Sequence, residues 1–369
     1  MKIDAIDIFH VRMPLVEPWH TAYGSDDAIE SIILRMRSAG VEGWGESCPL
    51  ALPCYSSEYA SGAFGVLRDC FAARLIGQDI RTGEDLQQRL QLFKGNWFAK
   101  AALDTAWWDL YARSLGQPLY RVLGGSRSTV SAGADFGIQK SVENLVDIVG
   151  AAVQSGAPRI KLKYSPQWGF PVVEKIRRSF PDAILHIDCN AAYSLLDQPM
   201  FQDLDSLNLA MFEQPLNFND IVDHATLQLG VKTPICLDES INSTHSMKQA
   251  IALKSCRWVN IKPGRVGGVT IARQIHDLCQ SVNIPCWIGG MLESTIGAMH
   301  CASLATLPNF RYPADLFPSA RFYASDLAEP PLRFSKPWQF SLPDSPGIGV
   351  VPNETRLTRF SLQQANIRA

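Results

Sequence analysis

Lys163, Asp188, Glu213, Asp238 and Lys262 follow one another at intervals of 25, 25, 25 and 24 residues along the second half of a 369-residue chain. Each ends or follows a short apolar run: Arg159-Ile160-Lys161-Leu162-Lys163, Ile184-Leu185-His186-Ile187-Asp188, Leu209-Ala210-Met211-Phe212-Glu213, Pro234-Ile235-Cys236-Leu237-Asp238 and Trp258-Val259-Asn260-Ile261-Lys262. One strand, one helix and two loops occupy about that length, so the spacing predicts a repeated β/α unit. In a closed parallel barrel the C-terminal ends of successive strands converge on one pocket. Three carboxylates there are hard oxygen ligands suited to Mg²⁺ or Mn²⁺, with water and substrate oxygens completing an octahedron. No His or Cys group has zinc-ligand spacing.

The lysines add acid–base chemistry. Lys161 and Lys163, two apart on a strand, share a face, and two ammonium groups beside a cation are expected to lower one another's pKa into the range of a base. Lys262 approaches from the opposite side. A carboxylate substrate held with its α-carbon between Lys163 and Lys262 would lose its α-proton, giving an enediolate whose charge the cation stabilises. Return of a proton on the other face is racemisation; loss of a β leaving group is dehydration. A single Asp at a strand end is better explained as a helix cap, and lysines near acids as neutralising charges. Equal spacing of three acids with a lysine on each flank favours a shared site. A non-catalytic barrel that merely binds a ligand or protein predicts loss of a site residue, and none is lost.

These residues need a scaffold. From Val130 onward strand-like and helical stretches alternate: a first barrel strand at 131–138, helices near 142–155, 169–179, 195–206, 219–230, 244–254 and 268–281, a seventh strand at 284–288 and an eighth at 310–315 despite Pro313. Ligands spread over five consecutive strands favour a barrel over an open sheet. Residues 1 to about 125 differ, with strands near 3–11, 31–38 and 41–46 and helices near 57–75, 84–94 and 99–115. The expected fold is an α/β protein: a (β/α) barrel, a modified TIM barrel, at 126–330 with an N-terminal α+β capping domain at 1–125. The Pro-rich segment 331–369 is expected to return to the capping domain.

Composition narrows the classes. A formal net charge of -2 provides no basic field for nucleic acid or an anionic membrane, and no apolar run approaches the roughly 20 residues of a membrane span. The opening residues do not resemble a signal peptide. Nine scattered cysteines without a Cys-x-x-Cys pair read as reduced, mostly buried residues, which points to the cytoplasm.

The motifs Ile160-Lys161-Leu162-Lys163, Asp188-Cys189-Asn190, Phe212-Glu213-Gln214-Pro215, Leu237-Asp238-Glu239-Ser240 and Asn260-Ile261-Lys262-Pro263-Gly264-Arg265-Val266-Gly267-Gly268 resemble the enolase superfamily in its muconate-lactonising subgroup. Gly43-Trp44-Gly45-Glu46 and Tyr55-Ser56-Ser57-Glu58-Tyr59 extend the likeness to the first domain. Within the subgroup the chain is most similar to the o-succinylbenzoate synthase and N-acylamino acid racemase family, through Pro234–Ile241, Lys262–Gly268, Gly289-Gly290-Met291-Leu292-Glu293 and Leu307-Pro308-Asn309-Phe310.

That resemblance implies Lys163 and Lys262 as acid/base pair, Lys161 as an assistant, Asp188, Glu213 and Asp238 on Mg²⁺ (or Mn²⁺), and a cytoplasmic homo-oligomer, dimer or octamer, acting on a small-molecule carboxylate. The implied reaction is racemisation of N-acylamino acids, N-succinylamino acids above all, with syn-dehydration to o-succinylbenzoate as the alternative. Dipeptide epimerisation and muconate-type cycloisomerisation come next, although Asp315-Leu316-Phe317 departs from the Asp-x-Asp of the epimerases. Arg265 is typical of members that racemise. Asn190 and Glu239 are expected to tie ligands and lysines together, Glu293 to neutralise Lys262, face the substrate or start a helix, and Tyr55 to lie at the site. Residues 17–25, including His20, match the position of a mobile lid.

Overall fold

The computed structural model describes residues 1–21, 24–166 and 168–368. The N-terminal sheet is antiparallel: β1 (Ala5–Thr21) pairs with β2 (Gly24–Ser38), and β2 with β3 (Val41–Ser47). Alternate apolar residues of β1 and β2, among them Ile6, Ile8, Ile32 and Leu34, are fully buried. Helices α1 (Ala60–Val66), α2 (Gly83–Leu90), α3 (Trp97–Ser114) and the short α4 (Leu119–Val122) follow. Almost every side chain of α3 is buried, because it lies between the sheet and the barrel. Gly43 and Gly45 allow that: a Cβ at either would fall on the α3 backbone at Leu110 or Ala106. Asp104 of α3 fastens the other side, its carboxylate accepting from Thr270 N at 3.0 Å and Gln87 Nε2 at 2.9 Å.

After β4 (Thr129–Ser131), a seven-stranded parallel sheet runs in chain order through β5 (Ala134–Phe136), β6 (Ile160–Lys163), β7 (Leu185–Asp188), β8 (Phe212–Glu213), β9 (Ile235–Leu237), β10 (Trp258–Ile261) and β11 (Cys286–Ile288). The intervening helices are α5 (Val142–Gln154), α6 (Gly169–Ser179), α7 (Gln198–Leu204), α8 (Val222–Gly230), α9 (Thr244–Leu253), α10 (Pro263–Val266), α11 (Val269–Ser281) and α12 (Thr295–Leu304). Residues 310–315 close the ring. Arg311 N donates to Cys286 O and Asp315 N to Ile288 O, both at 2.9 Å, while Ala314 exchanges bonds with Ser131 and Gly133. The expected eighth strand is therefore present as single bridges rather than a continuous ladder, since Pro313 has no N–H to give.

The expected first strand, 131–138, is split: β4 leaves the barrel to pair antiparallel with a C-terminal segment, and only Ala134–Phe136 joins the parallel sheet. In that C-terminal part, β12 (Ala328–Glu329) pairs with β14 (Val351–Pro352), β13 (Gln339–Ser341) is the partner of β4, and α13 (Glu354–Phe360) leads into β15 (Ser361–Arg368). β15 is antiparallel to β1 and forms the outer strand of the N-terminal sheet.

Candidate active site

The strand register sets the geometry. Lys163 and Asp188 are Cα partners across β6 and β7, as are Asp188 and Glu213 across β7 and β8. Asp238 directly follows β9 and Lys262 directly follows β10. All five are buried at the C-terminal mouth of the barrel. A cavity there is lined by Asp135, Lys161, Lys163, Asn190, Lys262 and Asp315. Its apolar wall includes Leu50, Met291, Leu292, Phe317, Phe322 and Trp19.

Ion pairs fill the floor. Lys161 Nζ stands 3.0 Å from Asp188 Oδ2, 2.9 Å from Glu213 Oε2 and 3.0 Å from Asp315 Oδ2. Lys163 Nζ is 2.6 Å from Asp188 Oδ2, and Lys262 Nζ is 2.9 Å from Asp238 Oδ2. Arg265 pairs with Asp238 and also donates to Ile241 O at 2.8 Å. Tyr55 OH donates to Asp238 Oδ1 at 3.1 Å, and Lys262 Nζ lies 4.6 Å from the centre of the Tyr55 ring. Asn190, held at a left-handed φ of 43°, reaches Asp188 through its backbone N–H and Glu239 Oε1 through Nδ2 at 3.3 Å. Glu293 accepts from Met291 N at 2.8 Å just before α12 and lines the cavity.

Carboxylates dominate the electrostatics of the floor. Burial draws the pKa of Lys161 down, but Asp188, Asp315, Glu213 and Asp135 together push it well above the ordinary lysine value. Lys262 is likewise raised: burial lowers it, and Tyr55, Glu239 and Glu213 outweigh that and the repulsion from Lys161. Repulsion between ammonium groups acts here too, from Lys161 on Lys262, but carboxylates outnumber lysines at the floor. Burial raises Asp188, yet Lys161 and Lys163 bring it below the usual carboxylate range. Burial and the negative charge of Asp188 lift Glu239 to about 7.

Among the described residues, no three His, Cys, Asp or Glu side chains stand gathered as a ready metal cage. Asp188, Glu213 and Asp238 nevertheless have the donor chemistry for one: buried carboxylates on consecutive strands, now satisfied by ammonium and guanidinium groups. Asp238 Oδ2 receives no aligned hydrogen bond, although Lys262 Nζ is near. A hard divalent cation fits this donor set if the three turn from their basic partners.

The segment anticipated as a lid is the end of the β1–β2 hairpin, with Trp19 opposite Asp26 and His20 opposite Ser25; Ala22 and Tyr23 lie outside the described residues. The His20 side chain is exposed and does not line the cavity, so that assignment moves to Trp19, its neighbour on the other face of the strand. A Cβ on Gly137 would lie 2.9 Å from His20 O, so the hairpin end sits close over β5.

Sequence reasoning missed His186, Asn260 and Asp135. His186 Nε2 is 3.2 Å from Glu213 Oε2, and Asn260 Nδ2 donates to Glu213 Oε1 at 2.8 Å. Both sit two residues before a named site residue, and the alternation that paired Lys161 with Lys163 applies equally to them.

Residues 144–356 match the enolase C-terminal domain-like family, and residues 3–124 match the N-terminal domain of the mandelate racemase / muconate lactonizing enzyme family. The N-succinylamino acid racemase of Thermus thermophilus is 40% identical over 369 residues, 100% of both chains. The o-succinylbenzoate synthase of Geobacillus kaustophilus is 39% identical over 362 residues, 98% of this chain and 96% of the relative. The crystal structure of an enolase superfamily member from Listeria innocua is 34% identical and superposes with a TM-score of 0.96, covering 100% of this chain and 99% of its own. With both family domains present and the barrel carrying its charged side chains at the strand ends, the chain belongs to the enolase superfamily.

Proposed function

We propose that this enzyme racemises N-acylamino acids by moving the α-proton between Lys163 and Lys262. The carrying observation is that both lysines line one buried cavity from opposite sides of the carboxylate set, on β6 and after β10. Racemisation needs one lysine neutral and the other protonated at the start of a turnover, and which is which sets the enantiomer accepted. Lys161 is placed to attract the substrate carboxylate, and Tyr55 and Arg265 hold Asp238 in orientation. Trp19, Phe317 and Phe322 keep water from the α-carbon.

Enzymes of this superfamily generally use a divalent metal. Asp188, Glu213 and Asp238 would hold it, as Mg²⁺ or Mn²⁺, and when bound it supplies positive charge that stabilises the deprotonated substrate. The partner class is a small-molecule carboxylate. No helix among the described residues is long and apolar enough to cross a membrane. Nine unpaired cysteines suit the reducing cytoplasm, where a symmetric homo-oligomer is part of this reading.

The test follows optically pure N-acylamino acids, both the N-succinyl form in the Thermus relative's name and an N-acetyl form, in deuterium oxide with Mg²⁺. Loss of the α-proton signal together with loss of rotation supports the racemase; neither change would sink it. A second reading, o-succinylbenzoate synthesis by dehydration, draws on the Geobacillus relative. It uses the same lysines, and formation of the aromatic product from its cyclohexadiene precursor would favour it.

A further inference from the structure

Asp135 is a buried acid at the cavity that the site chemistry leaves unused. It lies on β5 as the Cα partner of Lys161 and is 5% exposed, and its Oδ1 accepts no hydrogen bond from any described residue. Asp315, on the same flank, is by contrast fully engaged, with one oxygen on Arg159 and the other on Lys161. Asp135 adds to the negative field around Lys161 and Arg321 without being the direct ion-pair partner of either. Lys161 already has three other carboxylates, Lys163 has Asp188, and Arg159 has Asp315. Arg321 donates to the Asp135 backbone carbonyl and interacts with its carboxylate only at longer range.

Position in the ring says what Asp135 meets. The carboxylate set occupies β7, β8 and the end of β9; Lys161 and Lys163 stand on β6, and Asp135 lies on their far side. A substrate with its carboxylate towards Asp188, Glu213 and Asp238 and its α-carbon at Lys163 extends its remaining arm towards β5. A buried acceptor oxygen there, Asp135 Oδ1, with no donor among the described residues penalises a second carboxylate and rewards a hydrogen-bond donor, because the mismatch leaves polar groups unpaired out of water.

Building on the racemase reading above, we infer that Asp135 selects substrates whose outward arm ends in a hydrogen-bond donor, such as a carboxamide, hydroxyl or ammonium group, rather than in a carboxylate. Two matched pairs cover both arms of an N-acylamino acid: N-succinyl- against N-succinamoyl-L-methionine, and N-acetyl-L-glutamate against N-acetyl-L-glutamine. The readout is kcat/KM for α-proton exchange in the wild type, Asp135→Asn and Asp135→Ser.

In at least one pair the wild type should favour the amide by about tenfold or more, and both variants should bring that ratio below about threefold, chiefly by gaining activity on the acid. No such preference in either pair, or a preference unchanged in the variants, overturns the inference while leaving the racemase intact. Exchange with none of the four compounds overturns both. Should one variant fail to fold, the other still reports the ratio.

Discussion

Lys163 and Asp188 meet twice: they are Cα partners across the parallel β6–β7 ladder, and Lys163 Nζ stands 2.6 Å from Asp188 Oδ2. One backbone register thus places a proton-transfer group and a metal-ligand candidate together, and a slip of either strand by one residue would turn its side chain away from the cavity. Any account of the chemistry has to begin with this pair coming apart, since a lysine accepts a proton only after losing the charge that Asp188 now stabilises.

Lys163→Ala and Lys262→Ala should each lower racemisation by about 10²–10⁴-fold. Circular dichroism and Mg²⁺ titration of the same samples should report an intact fold and retained metal binding. Wild-type turnover in either variant would remove that lysine from the mechanism.

Removing divalent metal with a chelator should stop exchange, and adding Mg²⁺ back should raise the unfolding midpoint. At 100 times the dissociation constant the expected stabilisation is about 2.7 kcal/mol. Asp188→Asn should lose most of that shift. A variant that responds to Mg²⁺ like the wild type would take Asp188 out of the ligand set.

Stability should fall with pH through Asp104. Burial lifts its carboxyl from 3.8 to about 6, against hydrogen bonds from Thr270 and Gln87 that lower it. A group whose pKa is raised on folding favours the folded state below its unfolded value and loses that contribution as pH rises through the folded one. The loss therefore spans pH 3.8 to about 6 and is on the order of 3 kcal/mol. Urea titrations of wild type and Asp104→Asn at pH 4 and pH 7.5 check it. The difference in stability should move in favour of the variant at the higher pH, and a constant difference would mean that Asp104 does not titrate in this window.

Gly45→Ala should destabilise the protein by about 1–3 kcal/mol, as overpacking does where neither side can yield. The new methyl would fall on the α3 backbone at Ala106 and Ala102 as well as on the Thr105 hydroxyl. Calorimetry would register it, and an unchanged midpoint would show that β3 and α3 can part.

The sequence was legible where chemistry and backbone period coincide. The convergence of Lys163, Asp188, Glu213, Asp238 and Lys262 at one end of the barrel was legible from spacing because each marks the end of a strand. Asp135 was not, because β5 is only three residues long and the stretch before it leaves the barrel to pair with β13. The eighth strand was located correctly at 310–315, yet its irregular bonding was hidden in what Pro313 cannot donate. The carboxylate surroundings of Lys161 were hidden for a different reason. Lys161 has an obvious neighbour in Lys163 along the chain, but Asp315, one of the acids that dominate it, lies 154 residues away. The exposed side chain of His20 and the inward one of Trp19 differ by a single step of strand alternation, which no spacing argument had fixed.

The pairing of β15 with β1 has a consequence for biosynthesis. Residues 361–368 supply the outer strand of a sheet whose other members lie within residues 5–47. On the ribosome the early strands emerge long before that partner exists, and the whole barrel is made in between. The open edge of β1 must therefore wait through most of translation, exposed to pairing with neighbouring chains. Trimming the last strand should recreate that vulnerable intermediate in the finished protein, as a tendency to aggregate.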